Sequence, residues 1–200
     1  MRPRSSALLL LCWVLTASAD EGAALQGYLD GLNGLYAEFR QASGDQGLVQ
    51  DGQLWIEKPG KFAVVTRQPG EQWLVSDGTD LWNFDADLEQ VVITRLGDDP
   101  AEVPILLFAS DAARVTEAYA VTSYSDEAMQ HFVLTPRDGS SLFRTVNVAF
   151  NEGLPAWVTI NPVTGEPTTL QIINAERDPE IEPSRFTFVA PPGIDVLDDR

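Results

Sequence analysis

Few side chains in this sequence are arranged for covalent chemistry. The one histidine, His131, lies mid-strand beside Phe132 and Leu134, where packing or plain exposure accounts for it better than a base or ligand. The one cysteine, Cys12, sits in an apolar run near the start, so the remainder has no thiolate nucleophile, disulfide or cysteine metal ligand. No Gly-x-Ser-x-Gly elbow and no phosphate-cradling glycine loop occur. Asp and Glu number 30, so a pair at glycosidase spacing would mean nothing by itself. Asp85 with Asp87 reads as turn chemistry, and Asp98-Asp99 and Asp198-Asp199 lack calcium-loop spacing. The chain is not read as an enzyme, and no catalytic residue, cofactor or metal is expected.

The informative residues are apolar. Trp55, Phe62, Val64, Trp73, Trp82 and Phe84 gather in the first half of the chain, and Ile105-Leu106-Leu107-Phe108-Ala109 is unusually greasy for so short a run. In EQWLVSDGTDLWNFDADLEQVVI (71–93) two tryptophans and a phenylalanine stand in a strongly acidic segment. Such a face is either an ordinary core or a wall awaiting an apolar ligand. Periodicity does not separate the two.

The elements that must position these residues follow from spacing. Leu25, Tyr28, Leu29, Leu32, Leu35, Tyr36 and Phe39 recur at three- and four-residue steps, which predicts a helix from about Ala23 to Ala42, ended by Ser43-Gly44. The period then becomes two. Leu48 to Glu57 predicts a strand, Lys58-Pro59-Gly60 a turn, and Phe62 to Arg67 a strand closed by Gln68-Pro69-Gly70. Trp73 to Ser76 pairs with Leu81 to Phe84 across Asp77-Gly78-Thr79, a hairpin signal. Trp82 and Phe84 then share one face, Leu81 and Asn83 the other. Gln90 to Thr94 follows, GDDPAEVP (97–104) breaks the pattern, and residues 105–109 form a short helix. Strands resume at Val115 to Tyr124, Gln130 to Thr135, Leu142 to Phe150, Ala156 to Asn161, Thr168 to Glu176 and Phe186 to Val189. Roughly ten short strands with turn-sized connectors predict a single antiparallel meander, curled or barrel-like.

Residues 1–19, MRPRSSALLLLCWVLTASA, have the layout of a secretory signal peptide, with cleavage expected before Asp20. Residues 20–200 are then one exported, soluble domain. Cys12 is preceded by Leu11 and followed by further apolar residues, unlike a lipoprotein lipidation site. Removing the signal takes Arg2 and Arg4 and no acid, which changes the formal charge from -17 to -19. Such a charge excludes nucleic acid, whose phosphates would be repelled, and opposes docking on anionic lipid. Only two lysines occur, Lys58 and Lys61.

An ordered series of motifs goes further. A predicted helix leads into GQLWIEKPGKF (52–62), LVSDGTDLWNFDADLEQV (74–91), PILLF (104–108) and FTFVAPPGIDV (186–196). In order and spacing the series resembles the periplasmic outer-membrane lipoprotein carrier family, LolA, over essentially the whole mature chain. The resemblance implies an unclosed, half-open antiparallel β-barrel with short α-helices as a lid over a concave apolar face. It also implies a non-enzymatic chaperone acting as a monomer. Acylated lipoproteins released by an ABC transporter in the cytoplasmic membrane would be carried across the periplasm to an outer-membrane receptor. Acyl chains would lie against Trp55, Phe62, Val64, Trp73, Trp82 and Phe84, covered by Ile105, Leu106 and Phe108. In the family's Trp-x-x-Arg-Pro segment the arginine is credited with lid control, and Lys58 holds that place here, with fewer donors and no planar fork. Val64 stands where an aromatic is common. Lys58 and Lys61 are expected near the mouth, facing either a partner, the ligand's polar end or solvent. Two other readings of the fold stay open: the lipidated receptor, which needs an N-terminal acylated cysteine, and a periplasmic protein that senses lipid or lipoprotein.

Overall fold

The computed structural model describes residues 17–43, 49–67, 70–97, 103–126, 128–139 and 141–200, with side chains from residue 21 onward. Helix α1 (Ala17–Asp30) precedes strands β1 (Gly34–Ser43), β2 (Val49–Glu57), β3 (Lys61–Thr66), β4 (Gln72–Asp77), β5 (Asp80–Asp85) and β6 (Gln90–Arg95). Helices α2 (Leu106–Ala109) and α3 (Ala112–Ala118) lead to β7 (Tyr119–Ser125), β8 (Gln130–Pro136), β9 (Phe143–Asn151), β10 (Leu154–Pro162) and β11 (Thr168–Arg177). A 3-10 turn at Pro183–Phe186 precedes β12 (Asp195–Asp198).

All twelve strands form one sheet in the order β12-β6-β5-β4-β3-β2-β1-β11-β10-β9-β8-β7. The two end strands, β12 and β7, do not meet, so the sheet curls without closing, as expected. β1 is the seam: it pairs with β2 on one side and β11 on the other. Two pairs depart from the expected single meander: β1 joins β11, far off in the chain, so the sheet is two meanders side by side, and β12 runs parallel to β6.

Three predicted elements need correction. The helix expected to reach Ala42 ends at Asp30, and Gly34–Ser43 is β1. Leu35 and Phe39 suit both periods, but Leu35, Ala37 and Phe39 are all buried, which is alternation. The changeover is anchored from afar: the Asp178 carboxylate accepts the backbone N–H groups of Asn33 (2.8 Å) and Gly34 (2.6 Å). Residues 115–118 belong to α3, and the strand predicted from Val115 starts at Tyr119. Phe186 to Val189 is no strand: Phe186 closes the 3-10 turn and the next residues cross the sheet without joining it. The predictions for residues 1–16, Gly44 to Leu48, Gln68-Pro69 and most of 97–104 lie outside the described residues.

The three helices pack on the inner face of the curl. Leu25 and Leu29 of α1, Leu106 to Phe108 of α2 and Val115 of α3 join one core with Leu54, Ile56, Phe62, Phe132, Leu134 and Phe150. Tyr28 inserts between Phe132 and Phe150 at 5.5 and 4.7 Å between ring centroids, and Phe108 meets Phe150 at 6.4 Å. One tight turn ties two of these helices to the sheet. Lys58 Nζ donates to the Leu29 carbonyl of α1 at 2.7 Å, and Gly60 N–H donates to the Ala109 carbonyl of α2 at 2.8 Å. Gly60 (φ 73°) also abuts Gly78 of the β4–β5 turn, where a Cβ would come within 3.1 Å of the Gly78 Cα.

Gly52 lies beneath the Phe39 ring, and an added Cβ would stand 2.2 Å from Phe39 Cζ and 2.5 Å from the Val65 carbonyl oxygen. Gly52→Ala is therefore expected to cost about 1–3 kcal/mol of stability, read as a lower urea midpoint at unchanged m-value. An unchanged midpoint would show that the ring moves aside freely. Burial holds the Lys58 ammonium below the ordinary lysine value of 10.5, against the pull of Asp30, Asp111 and Asp178. Between those two pKa values the unfolded chain binds more protons, so the contribution of Lys58 to stability rises with pH there. Urea unfolding at about pH 7 and about pH 10 should shift the balance between this protein and Lys58→Met toward the lysine at the higher pH. A shift the other way would overturn the burial argument.

Candidate functional site

Cross-strand pairing decides which side chains share a face. Leu35, Ile56, Phe62, Ser76 and Leu81 form one row across β1 to β5, and Ala37, Leu54, Val64, Leu74 and Asn83 the next row on that same face. These rows point into the curl. Tyr36, Trp55, Ala63, Val75, Trp82 and Ile93 form the alternate row, with Val65, Trp73, Phe84 and Val91 beside it. These point outward.

The inner face is not fully covered. A cavity of about 420 Å³ remains between the sheet and α2. Its wall takes Leu54, Val64 and Leu74 from one half of the sheet and Val158, Ile160, Leu170 and Ile172 from the other, with Val103, Ile105 and Phe108 above. Leu35 of the seam strand, together with Pro104, Phe143, Pro155 and Pro162, completes the apolar lining; Gln41 and Thr168 add its polar atoms. Among the described residues, no wall residue is charged. Such a wall can bury apolar groups and has no side chain that titrates to perform acid–base work.

Of the residues singled out from sequence, Val64, Ile105 and Phe108 line this cavity. Phe62 and Leu106 are on the inner side but fully packed in the core. Trp55, Trp73, Trp82 and Phe84 stand on the opposite, convex face, one residue out of phase with the wall. The segment after β11 covers three of them: Phe188 packs on Phe84 and Trp73 at 5.3 and 6.3 Å, and the Arg185 guanidinium lies 4.2 Å over Trp55. The wall is thus mainly aliphatic. The signal was present in the alternation of Leu54 with Trp55 and of Leu74 with Trp73, where the smaller partner faces in.

The remaining chemistry-bearing residues lie elsewhere. His131 Nε2 is 2.7 Å from Asp126 Oδ2, and its ring stacks on Tyr124 at 4.5 Å, on the outer face. The Asp126 carboxyl is held below the usual range by the Ala128 N–H first and His131 next. Asp85 serves its turn, accepting the N–H groups of Asp87 and Leu88. Lys61 pairs with Glu57 at 2.6 Å, and Lys58 faces α1 rather than solvent. Among the described residues no group of three His, Cys, Asp or Glu is placed to hold a metal ion, and no helix is long and apolar enough to cross a membrane.

The comparisons agree with this fold. The sequence pattern described as "Outer membrane lipoprotein carrier protein LolA" matches residues 30–189. Proteins named outer-membrane lipoprotein carrier protein from Pseudomonas aeruginosa and Chromohalobacter salexigens are 33% and 34% identical; each alignment covers 92% of this chain, and 91% and 90% of theirs. In structure the chain is similar to an uncharacterized conserved protein from Thermus thermophilus, with a TM-score of 0.54 at 13% identity over 90% of this chain and 99% of that one. It is also similar to a chain of the Pseudomonas aeruginosa MucA/MucB complex, with a TM-score of 0.51 at 14% identity over 87% and 62% of the two chains. Those two likenesses are of fold alone. With its match from residue 30 to residue 189 and its relatives aligned over nine-tenths of their length, the chain belongs to the outer-membrane lipoprotein carrier family, LolA.

Proposed function

We propose that this protein is a periplasmic chaperone for acylated lipoproteins. It takes them from a releasing ABC transporter in the cytoplasmic membrane and passes them to a receptor in the outer membrane. The observation that carries the reading is the cavity of about 420 Å³ under α2, largely aliphatic and without a charged side chain among the described residues. That volume falls within the range typical of small-molecule pockets, about 300–1,000 Å³.

The physical need for such a carrier is plain. Each buried methylene is worth about 0.8 kcal/mol, so a sixteen-carbon chain resists leaving lipid by on the order of 12 kcal/mol. A carrier lowers that barrier by offering another apolar surface, with no covalent step. In this reading Leu54, Val64, Leu74, Ile105, Phe108, Ile160, Leu170 and Ile172 hold the chains. Phe62 and Leu106 support them from behind. Lys58, bonded to α1, holds the lid in its closed position, and the convex tryptophans take no part in binding.

A release assay on spheroplasts tests this. Purified protein is added, and the soluble fraction is examined for a one-to-one complex with a triacylated lipoprotein. The complex is expected to form, to be lost in Leu74→Asp, and to persist in Trp82→Ala. Lipoprotein that stays with a membrane whose transporter is active would refute the carrier reading. Loss in Trp82→Ala with retention in Leu74→Asp, both variants folded, would move the binding face to the convex side.

A further inference from the structure

The cavity wall changes character at the end farthest from Lys58. Gln41 and Ser43 of β1, Gln50 of β2 and Thr168 of β11 share the inner face there, as cross-strand pairs Gln41–Gln50 and Ser43–Thr168. Gln41 Nε2 donates to Gln50 Oε1 at 3.2 Å, and the Ser43 and Thr168 hydroxyl oxygens stand 3.1 Å apart. All four are partly exposed. The neighbouring charges, Arg40 and Asp51, point to the other face and pair at 3.1 Å. Past this belt, Phe143 and Pro162 lead from the cavity to Leu142 and Val163, which are 75% and 44% exposed and joined by a 2.8 Å bond from the Val163 N–H to the Leu142 carbonyl.

Hydrogen-bonding groups set at the rim of an aliphatic wall waste their capacity on a pure hydrocarbon. They match a ligand whose apolar chains end in neutral carbonyls. A fatty-acid carboxylate or a phosphate would call for Lys or Arg among these groups; none of the four is a cation, and the Arg144 guanidinium at the lip already donates to the Val163 carbonyl at 2.9 Å. Resting on the carrier reading above, we propose that Gln41, Ser43, Gln50 and Thr168 form a neck for the uncharged ester and amide linkages of an acylated cysteine. The chains run from the neck toward Phe108, and the polypeptide leaves over the lip of Leu142 and Val163. The neck thereby selects acylated cysteine against free fatty acid and phospholipid.

Binding of a tripalmitoylated cysteinyl peptide, of hexadecane and of palmitate would be measured for the protein and for the Gln41→Leu, Thr168→Val double variant. The variant is expected to lose about tenfold in affinity for the peptide, the worth of one or two hydrogen bonds, and nothing for hexadecane. Palmitate is expected to bind the unaltered protein more weakly than the peptide. A nitroxide on the peptide's polar end should broaden backbone amide signals of residues 41–43 and 168–170 in the unaltered protein and spare Lys58 to Gly60. Undiminished peptide binding in the folded variant, tighter binding of palmitate than of peptide, or broadening centred on Lys58 would each overturn the neck. If the variant does not fold, the nitroxide pattern decides. An unaltered protein that binds neither peptide nor hexadecane would refute the carrier reading itself, and the neck with it.

Discussion

The structure depends on one constraint: a sheet whose two end strands never meet cannot fill its own interior. A closed small barrel packs its inward side chains against one another. Here β7 and β12 remain apart, so the inner rows must find other partners. α1 and α3 cover the β7 side, and α2, only four residues long, covers part of the middle. What lies beyond their reach is a void lined by branched aliphatics. The cavity is the geometric remainder of an unclosed curl under helices too short to cover it.

The same arrangement governs how firmly α1 and α2 are held. α2 is too short to persist on its own strength, and its connection to the β2–β3 turn is a single backbone bond through Gly60. α1 is held at its end by the Lys58 ammonium, which is partly desolvated and surrounded by Asp30, Asp111 and Asp178 without a direct carboxylate partner among its hydrogen bonds. The backbone bond is worth about 1 kcal/mol and the bond from the charged ammonium about 1.5–3 kcal/mol. Beside them stands the burial of Leu106, Leu107, Phe108 and Ala109, which fixes α2 to the core more firmly than either bond. An arginine in place of Lys58 would offer five donors to the same helix end; the lysine offers three and a more flexible stem.

Most of the architecture was legible in the sequence because period-two alternation, Gly and Pro turns and the greasy run at 105–109 are local signals. The parts that were not legible are set by distant groups. Leu35 and Phe39 fit a helix as well as a strand, and only the pairing of β1 between β2 and β11, with Asp178 capping the changeover, selects the strand. Val115 suits a strand by its branched side chain, yet it is the buried face of a short helix. The candidate cavity was legible as a pattern of apolar residues but not in its phase. Large aromatics invite assignment to a ligand wall, whereas here they stand on the outside, Trp55 under Arg185 and Trp73 and Phe84 under Phe188, while Leu54, Val64 and Leu74 face inward. A one-residue shift in alternation exchanges the two sets.

The convex placement of the aromatics has an optical consequence. Trp55, Trp73, Trp82 and Trp157, the four tryptophans among the described residues, all lie on the outer face of the sheet, Trp157 in the same row as Ala149, His131 and Tyr124. The indole emission of this protein therefore watches its back. Filling or emptying the cavity changes nothing in direct contact with a chromophore, while peeling away the segment that carries Arg185 and Phe188 exposes two of them at once. Intrinsic fluorescence is thus a gauge of how the chain end is seated, and occupancy of the interior has to be followed with a probe placed on the cargo.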